Sequence, residues 1–190
     1  NIAKKYNIAY FRGSENDVLN RFISAAEQYN AQKIIRVCSD NPFLDINSIK
    51  KLIETINENP SADYISFNIN GIPSIKTHYG FWTEYVTLNT LKKIRDLTDE
   101  PLYHEHVTNY IYSHSEQFNI VWIMNAGNSV KNLPIRLTID TESDFVNAQK
   151  IYSYFAHSGI QLTIPHIVDY LSNHPTIIYK MKTEITKNTK

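Results

Sequence analysis

Arg36-Val37-Cys38-Ser39-Asp40-Asn41-Pro42-Phe43-Leu44-Asp45 decides the fold, because the apolar run Lys33-Ile34-Ile35-Arg36-Val37 empties directly into a turn carrying two carboxylates. The run is short and rich in β-branched residues, as a buried strand is. Asn41-Pro42 is a turn signal that cannot continue it. Asp40 is therefore expected at a strand's carboxyl end, where open α/β sheets place their sites. The residues themselves leave open whether Asp40 serves a ligand or accepts backbone N–H groups in an Asx-turn.

Working outward, strand-like and helix-like segments alternate, which points to a layered α/β domain over residues 1–179. Residues 8–11 read as a strand. Ser14, with Asp17 three residues later, reads as an N-cap before a helix carrying Val18, Leu19, Phe22, Ile23 and Ala26. Leu52, Ile53 and Ile56 share a helical stripe that Asn59-Pro60 should end. A strand is expected over 64–67, a tight turn at Asn70-Gly71, a half-buried strand over 81–88 holding Glu84, and a helix over 88–97. After Asp99-Glu100-Pro101 one further helix should carry Glu105, His106, Thr108, Asn109 and Tyr112. Strands are expected over 119–124 and 135–139, the latter leading into Asp140. Thr141 and Asp144 repeat the N-cap pattern ahead of a helix to about residue 155. Thr163 and Pro165 should open a last helix that His174-Pro175 closes, and residues 180–190 are expected to fray.

Composition narrows the function. The 190 residues carry 19 Lys and Arg against 19 Asp and Glu, so the neutral chain offers no electrostatic footprint for nucleic acid. One cysteine, Cys38, excludes an internal disulfide and fits a reducing compartment. The 7 histidines form no zinc-type spacing with it. No apolar stretch approaches the ~20 residues that cross a bilayer, and the first residues lack a secretory core, so a cytoplasmic location is expected.

Residues 34–40 and 137–140 form a pair, since both read as apolar strands delivering an aspartate at the exit. Two hard carboxylates short of a full cage suit Mg²⁺, which keeps waters and completes its shell with substrate phosphates. For Asp140 the alternative is plain capping, because Asp-Thr-x-x-Asp before a helix is common N-terminal chemistry.

The pattern Phe11-Arg12-Gly13-Ser14-Glu15-Asn16-Asp17-Val18-Leu19-Asn20-Arg21-Phe22, followed by Arg36 to Pro42, resembles the cytidylyltransferases of surface-polysaccharide biosynthesis, the spore-coat and CMP-sugar synthetase type. Gly80 with Glu84, the run Glu105-His106-Val107-Thr108-Asn109-Tyr110-Ile111-Tyr112, and Arg136-Leu137-Thr138-Ile139-Asp140-Thr141-Glu142-Ser143-Asp144-Phe145 fit in the same order. The resemblance implies a Rossmann-like nucleotide-diphospho-sugar transferase fold, α/β/α, with a mixed, mostly parallel sheet. It implies transfer of CMP from CTP to a sugar or acidic sugar with release of pyrophosphate. Asp40 and Asp140 fall at the metal positions, and Arg12, Gly13, Ser14 and Arg36 on the nucleotide side. Glu84, Glu105 and His106 fall on the sugar side, with His106 the candidate general base because imidazole titrates near neutrality. Members of the family begin with a strand and a glycine- and arginine-bearing loop that wraps the triphosphate. Nothing like that loop precedes Asn1, so the chain is expected to be truncated relative to the family, to its C-terminal three quarters or so. Tyr79-Gly80-Phe81-Trp82 is a candidate homodimer face. The rival expectations are a metal-dependent glycosyltransferase of similar fold and a non-catalytic domain.

Overall fold

A computed structural model describes residues 2–124, 126–130 and 132–188. In chain order the elements are α1 (Ile2–Lys5), α2 (Val18–Gln28), β1 (Lys33–Arg36), α3 (Ile46–Glu58), β2 (Tyr64–Ile69), β3 (Ile72–Pro73), β4 (Glu84–Thr87), α4 (Leu88–Leu97), α5 (Pro101–Glu105), α6 (Asn109–Ser113), β5 (Ile120–Ile123), α7 (Glu142–Ser158), α8 (Ile164–Ser172) and α9 (Pro175–Lys187).

The strands form one sheet in the order β1-β4-β2-β3, with β5 also paired to β2. The N–H of Leu88, just past β4, donates to the carbonyl of Gln32, just before β1, while the Thr83 hydroxyl donates to the Arg36 carbonyl. With opposite ends paired, β4 runs antiparallel to β1. Asp63 and Tyr64 both donate to the Asn119 carbonyl, so β2 and β5 start side by side. At Asn70-Gly71 both residues take positive φ, 54° and 90°, and β2 turns into β3 with Asn68 opposite Pro73. Residues able to adopt that backbone are what a two-residue hairpin requires.

The chain divides into two compact units: Asn1–Ile34, Ser61–Tyr64 and Tyr85–Ile120 make the first; Ile35–Pro60, Ile65–Glu84 and Val121–Lys190 the second. In the first, the apolar stripe of α2 (Leu19, Ile23, Ala26) is buried, and α2 lies against α4 and α5. In the second, Leu52 and Ile56 of α3, Ile65, Phe67 and Ile69 of β2, and Ile151 and Phe155 of α7 are buried together with Phe81 and Trp82. The apolar side chains removed from water, each contributing about 1.5–3 kcal/mol, outweigh any single polar contact.

Several expectations are corrected. Residues 8–11 form no strand, and residues 135–139 run outside the sheet although Ile135 and Leu137 are buried. The helix cap is Asp17, which accepts from Asn20 N, while Ser14 Oγ accepts from Asp17 N one turn earlier. The single helix expected to hold both Glu105 and Asn109 is two, broken where His106 caps α5 and Val107 and Thr108 turn inward. His174-Pro175 opens α9 instead of only closing α8, since proline at N1 gives up an N–H that has no intrahelical acceptor anyway. Residues 180–187, expected to fray, continue that helix because Ile177 and Met181 are buried one turn apart. Residues 189–190 lie outside the described residues. The candidate homodimer face is not a face: Phe81 and Trp82 are 0% and 5% exposed, Trp82 packing edge-on against Tyr79 and Phe81.

Candidate functional site

Three loops of the second unit build the site, spanning residues 37–45, 78–83 and 135–141. The His78 carbonyl accepts from Leu137 N at 2.8 Å and Thr138 N at 3.3 Å; the Asp40 carbonyl accepts from Ile139 N at 2.9 Å; Phe81 O accepts from Asp45 N at 2.8 Å. The Asp40 turn is thus stitched by backbone to the residue preceding Asp140. Gly80 permits the closure. Its φ is +67°, and a Cβ there would stand 3.2 Å from the carbonyl carbon and oxygen of Leu137 and 3.3 Å from Thr138 N. Any other residue would push the Asp140 loop away or strain its own backbone.

Arg136 fixes the second carboxylate. It is 1% exposed, and its Nε and Nη2 donate to Asp144 Oδ1 and Oδ2 at 2.8 and 3.0 Å, a bidentate pair. Nη2 also donates to Asp140 Oδ2 at 2.8 Å, and Nη1 to His78 Nδ1 at 2.8 Å. A guanidinium has no acceptor, so His78 presents the unprotonated nitrogen there. Asp144 Oδ2 accepts from Asp140 N and Thr141 N as well, closing a capping box at the start of α7. Burial pushes the Asp144 carboxyl up, but the Arg136 bonds and charge and the Asp140 N–H outweigh it and hold the group below the usual carboxylate range. For Arg136 burial works downward, and Asp144 first, then Asp140, keep it above its ordinary value. The Asp140 side chain is 35% exposed while that of Arg136 is fully covered, so Asp140 is the accessible end of the cluster.

Asp40 and Asn41 complete the site. Asp40 Oδ1 and Asn41 Oδ1 are buried and have no hydrogen-bond partner. An orphaned buried carboxylate oxygen, on a turn bonded by backbone to the residue before a second, anchored carboxylate, fits a hard cation with oxygen ligands. Asp140 has a guanidinium and the Thr138 hydroxyl on Oδ2, and a carboxylate has lone pairs for further partners. Among the described residues no group of three or more His, Cys, Asp or Glu side chains could hold a metal alone, so a cation at Asp40 and Asp140 would draw its remaining ligands from elsewhere. Arg36 and Glu84, expected on the nucleotide and sugar sides, are joined: Nε donates to Oε1 at 2.6 Å, with Glu84 1% exposed. Glu84 is therefore the partner that orients Arg36.

The other expected residues belong to the first unit. Arg12, Gly13 and Ser14 lie on an exposed loop that the Arg21 guanidinium holds by donating to Ser14 O at 2.8 Å. A Cβ at Gly13 would meet the Phe11 ring at 2.9 Å and Arg21 Cγ at 3.0 Å, so glycine lets that loop close on α2. Glu105 and His106 are exposed at the end of α5. A histidine of this unit paired with a carboxylate is His104, which the sequence reading passed over. Its Nδ1 lies 2.9 Å from Asp17 Oδ1, and Nε2 3.1 Å from Thr98 O. The Asp17 bond raises the His104 pKa against the opposing effect of burial. Burial raises Asp17, yet the Asn20 bonds and His104 bring it below its ordinary value. No local signal announces a pairing across 87 residues.

Asp40 lies on the turn after β1 and Asp140, held by Arg136, just ahead of α7 in a mixed α/β chain, and its family model places that chain in the nucleotidyltransferase class. The cytidylyltransferase family model matches residues 1–174, and the chain belongs to that family. It is 32% identical over 176 residues to the uncharacterized protein MJ1063 of Methanocaldococcus jannaschii, covering 93% of this chain and 68% of that protein. It is 31% identical over 151 residues to the spore coat polysaccharide biosynthesis protein SpsF of Bacillus subtilis, covering 78% of this chain and 58% of that one. Among solved structures, a cytidylyltransferase from Leptospira borgpetersenii serovar Hardjo-bovis superposes with a TM-score of 0.78 at 27% identity, over 93% of this chain and 71% of that chain.

Proposed function

We propose that the chain carries the acidic site of an enzyme that transfers CMP from CTP to a sugar or acidic sugar in surface-polysaccharide or glycan biosynthesis. A sugar hydroxyl attacks the α-phosphorus; the bond to the bridging oxygen breaks, pyrophosphate departs with the electron pair, and the hydroxyl proton passes to a base. The observation carrying this reading is the Ile139-to-Asp40 hydrogen bond, which ties the two aspartate turns together, with Asp40 Oδ1 left unpartnered. Asp40 and Asp140 would hold Mg²⁺, which supplies charge neutralisation at the phosphates in nucleotidyl transfer. Arg136 keeps the Asp140 carboxylate oriented, and Glu84 keeps Arg36 directed toward nucleotide phosphate. Arg12, Gly13 and Ser14 serve the nucleotide side, Glu105 the sugar side, and His106 is the candidate base. Positioning and electrostatics dominate such a transfer. Support for the polysaccharide setting comes from the name of the Bacillus relative. No helix among the described residues is long and apolar enough to cross a membrane, and the reading puts the chain in the cytoplasm with CTP.

The test is pyrophosphate release from CTP and Mg²⁺ across a panel of sugars and acidic sugars. Asp40→Asn and Asp140→Asn should each lower the rate about a hundredfold or more, the scale of losing one preorganised electrostatic group. Wild-type rates in both variants would remove these residues from the site. Consumption of a nucleotide sugar without pyrophosphate would mark a glycosyltransferase instead.

A further inference from the structure

Asp40 Oδ1 and Asn41 Oδ1 are the two buried side-chain atoms without a hydrogen-bond partner among the described residues, and they are consecutive in one turn. Buried acceptors are almost always satisfied, so two orphans side by side mark a missing donor or cation. Asn41 N bonds to Cys38 O at 3.3 Å, and Pro42 fixes the next φ, so the backbone carrying both side chains is held. The charge balance selects between donor and cation. Asp140 and Asp144 set two carboxyl groups against the one guanidinium of Arg136, whose nitrogens they and His78 engage, and Asp40 adds a third on the turn whose carbonyl accepts from Ile139 N. A divalent cation offsets that excess, and a carboxamide oxygen adds a hard ligand without adding charge.

We propose that the Asn41 carboxamide oxygen is a third protein ligand, beside Asp40 and Asp140, for the divalent cation of this site. The inference rests on the reading of Asp40 and Asp140 as metal ligands.

The experiment measures Mn²⁺ binding to the whole chain, with and without CTP, by the loss of the free-ion electron paramagnetic resonance signal, for wild type, Asn41→Leu, Asn41→Asp and Asp40→Asn. Asn41→Leu should weaken Mn²⁺ about 10- to 100-fold, the range seen when a supporting metal contact is lost. Asn41→Asp should keep or tighten binding, and Asp40→Asn should abolish it. Melting without metal provides the control: the Asn41 oxygen has no protein partner, so Asn41→Leu should melt at or above the wild-type temperature. Wild-type Mn²⁺ affinity in Asn41→Leu, with binding lost in Asp40→Asn, overturns the inference and leaves the two-aspartate reading standing. A lowered melting temperature in Asn41→Leu without metal also overturns it, since the oxygen would then have a protein partner. Absence of Mn²⁺ binding to wild type under both conditions overturns both.

Discussion

At the scale of single residues, Gly80 and Asn41 matter through what surrounds them, not through their own chemistry. Gly80 has a positive φ and sits under the Leu137 carbonyl, so two requirements coincide at one position. Gly80→Ala should destabilise the second unit by about 1–2 kcal/mol from the left-handed backbone alone, with the Cβ contact adding to it. Gly80→Asn separates the two causes, because asparagine tolerates that backbone yet still carries a Cβ. Urea unfolding of both variants is the measurement. Equal stability of Gly80→Asn and wild type would show that the Leu137 contact costs nothing. The sequence marked Gly80 only through family resemblance, and nothing in its neighbours announces the approach of a segment nearly 60 residues away.

At the scale of elements, the start of α2 depends on α5. Asp17 caps α2 by accepting from Asn20 N and also pairs with His104, whose side chain is only 16% exposed. His104 has a raised folded pKa, so its contribution is fully present below the unfolded value of about 6.5 and fades as pH rises through the folded value. Asp17 has a lowered folded pKa, so its contribution is present above about 3.9 and is lost as pH falls through the folded value. The pair is therefore strongest in mildly acid solution. His104→Gln should cost about 0.2–1 kcal/mol there and progressively less toward alkaline pH, read as the melting-temperature gap from wild type at several pH values. A gap that widens with rising pH would refute the assignment. Helix starts were readable to within a turn, since Ser14 and Asp17 both carry capping chemistry, but the break between α5 and α6 was not. Glu105 to Tyr112 has acceptable helical composition throughout, and only the burial of Val107 and Thr108 ends the first turn set.

At the scale of the whole molecule, Arg136 ties the 78–83 and 135–141 loops to the start of α7 through one buried charge. Removing it leaves Asp144 covered and without its cation, which costs about 3–5 kcal/mol when a buried pair is broken from one side. Arg136→Met should show that loss in equilibrium unfolding near neutral pH. The gap from wild type should narrow as pH falls through the lowered folded pKa of Asp144, where the wild type loses the same contribution. A pH-independent gap would assign the effect to packing. Fold class, strand β1 with Asp40 at its exit, the Asn70-Gly71 hairpin and the Thr141–Asp144 capping box were determined by the sequence itself, because periodicity, turn chemistry and caps act within about four residues. Tertiary structure alone decided that residues 135–139 leave the sheet to lie against His78 and Gly80, that Glu84 is spent on Arg36, and that Asn41 is left with an unanswered oxygen. These depend on side chains 48 to 58 positions apart meeting in a buried place, where a missing partner is costly and local composition carries no record of which partner arrives.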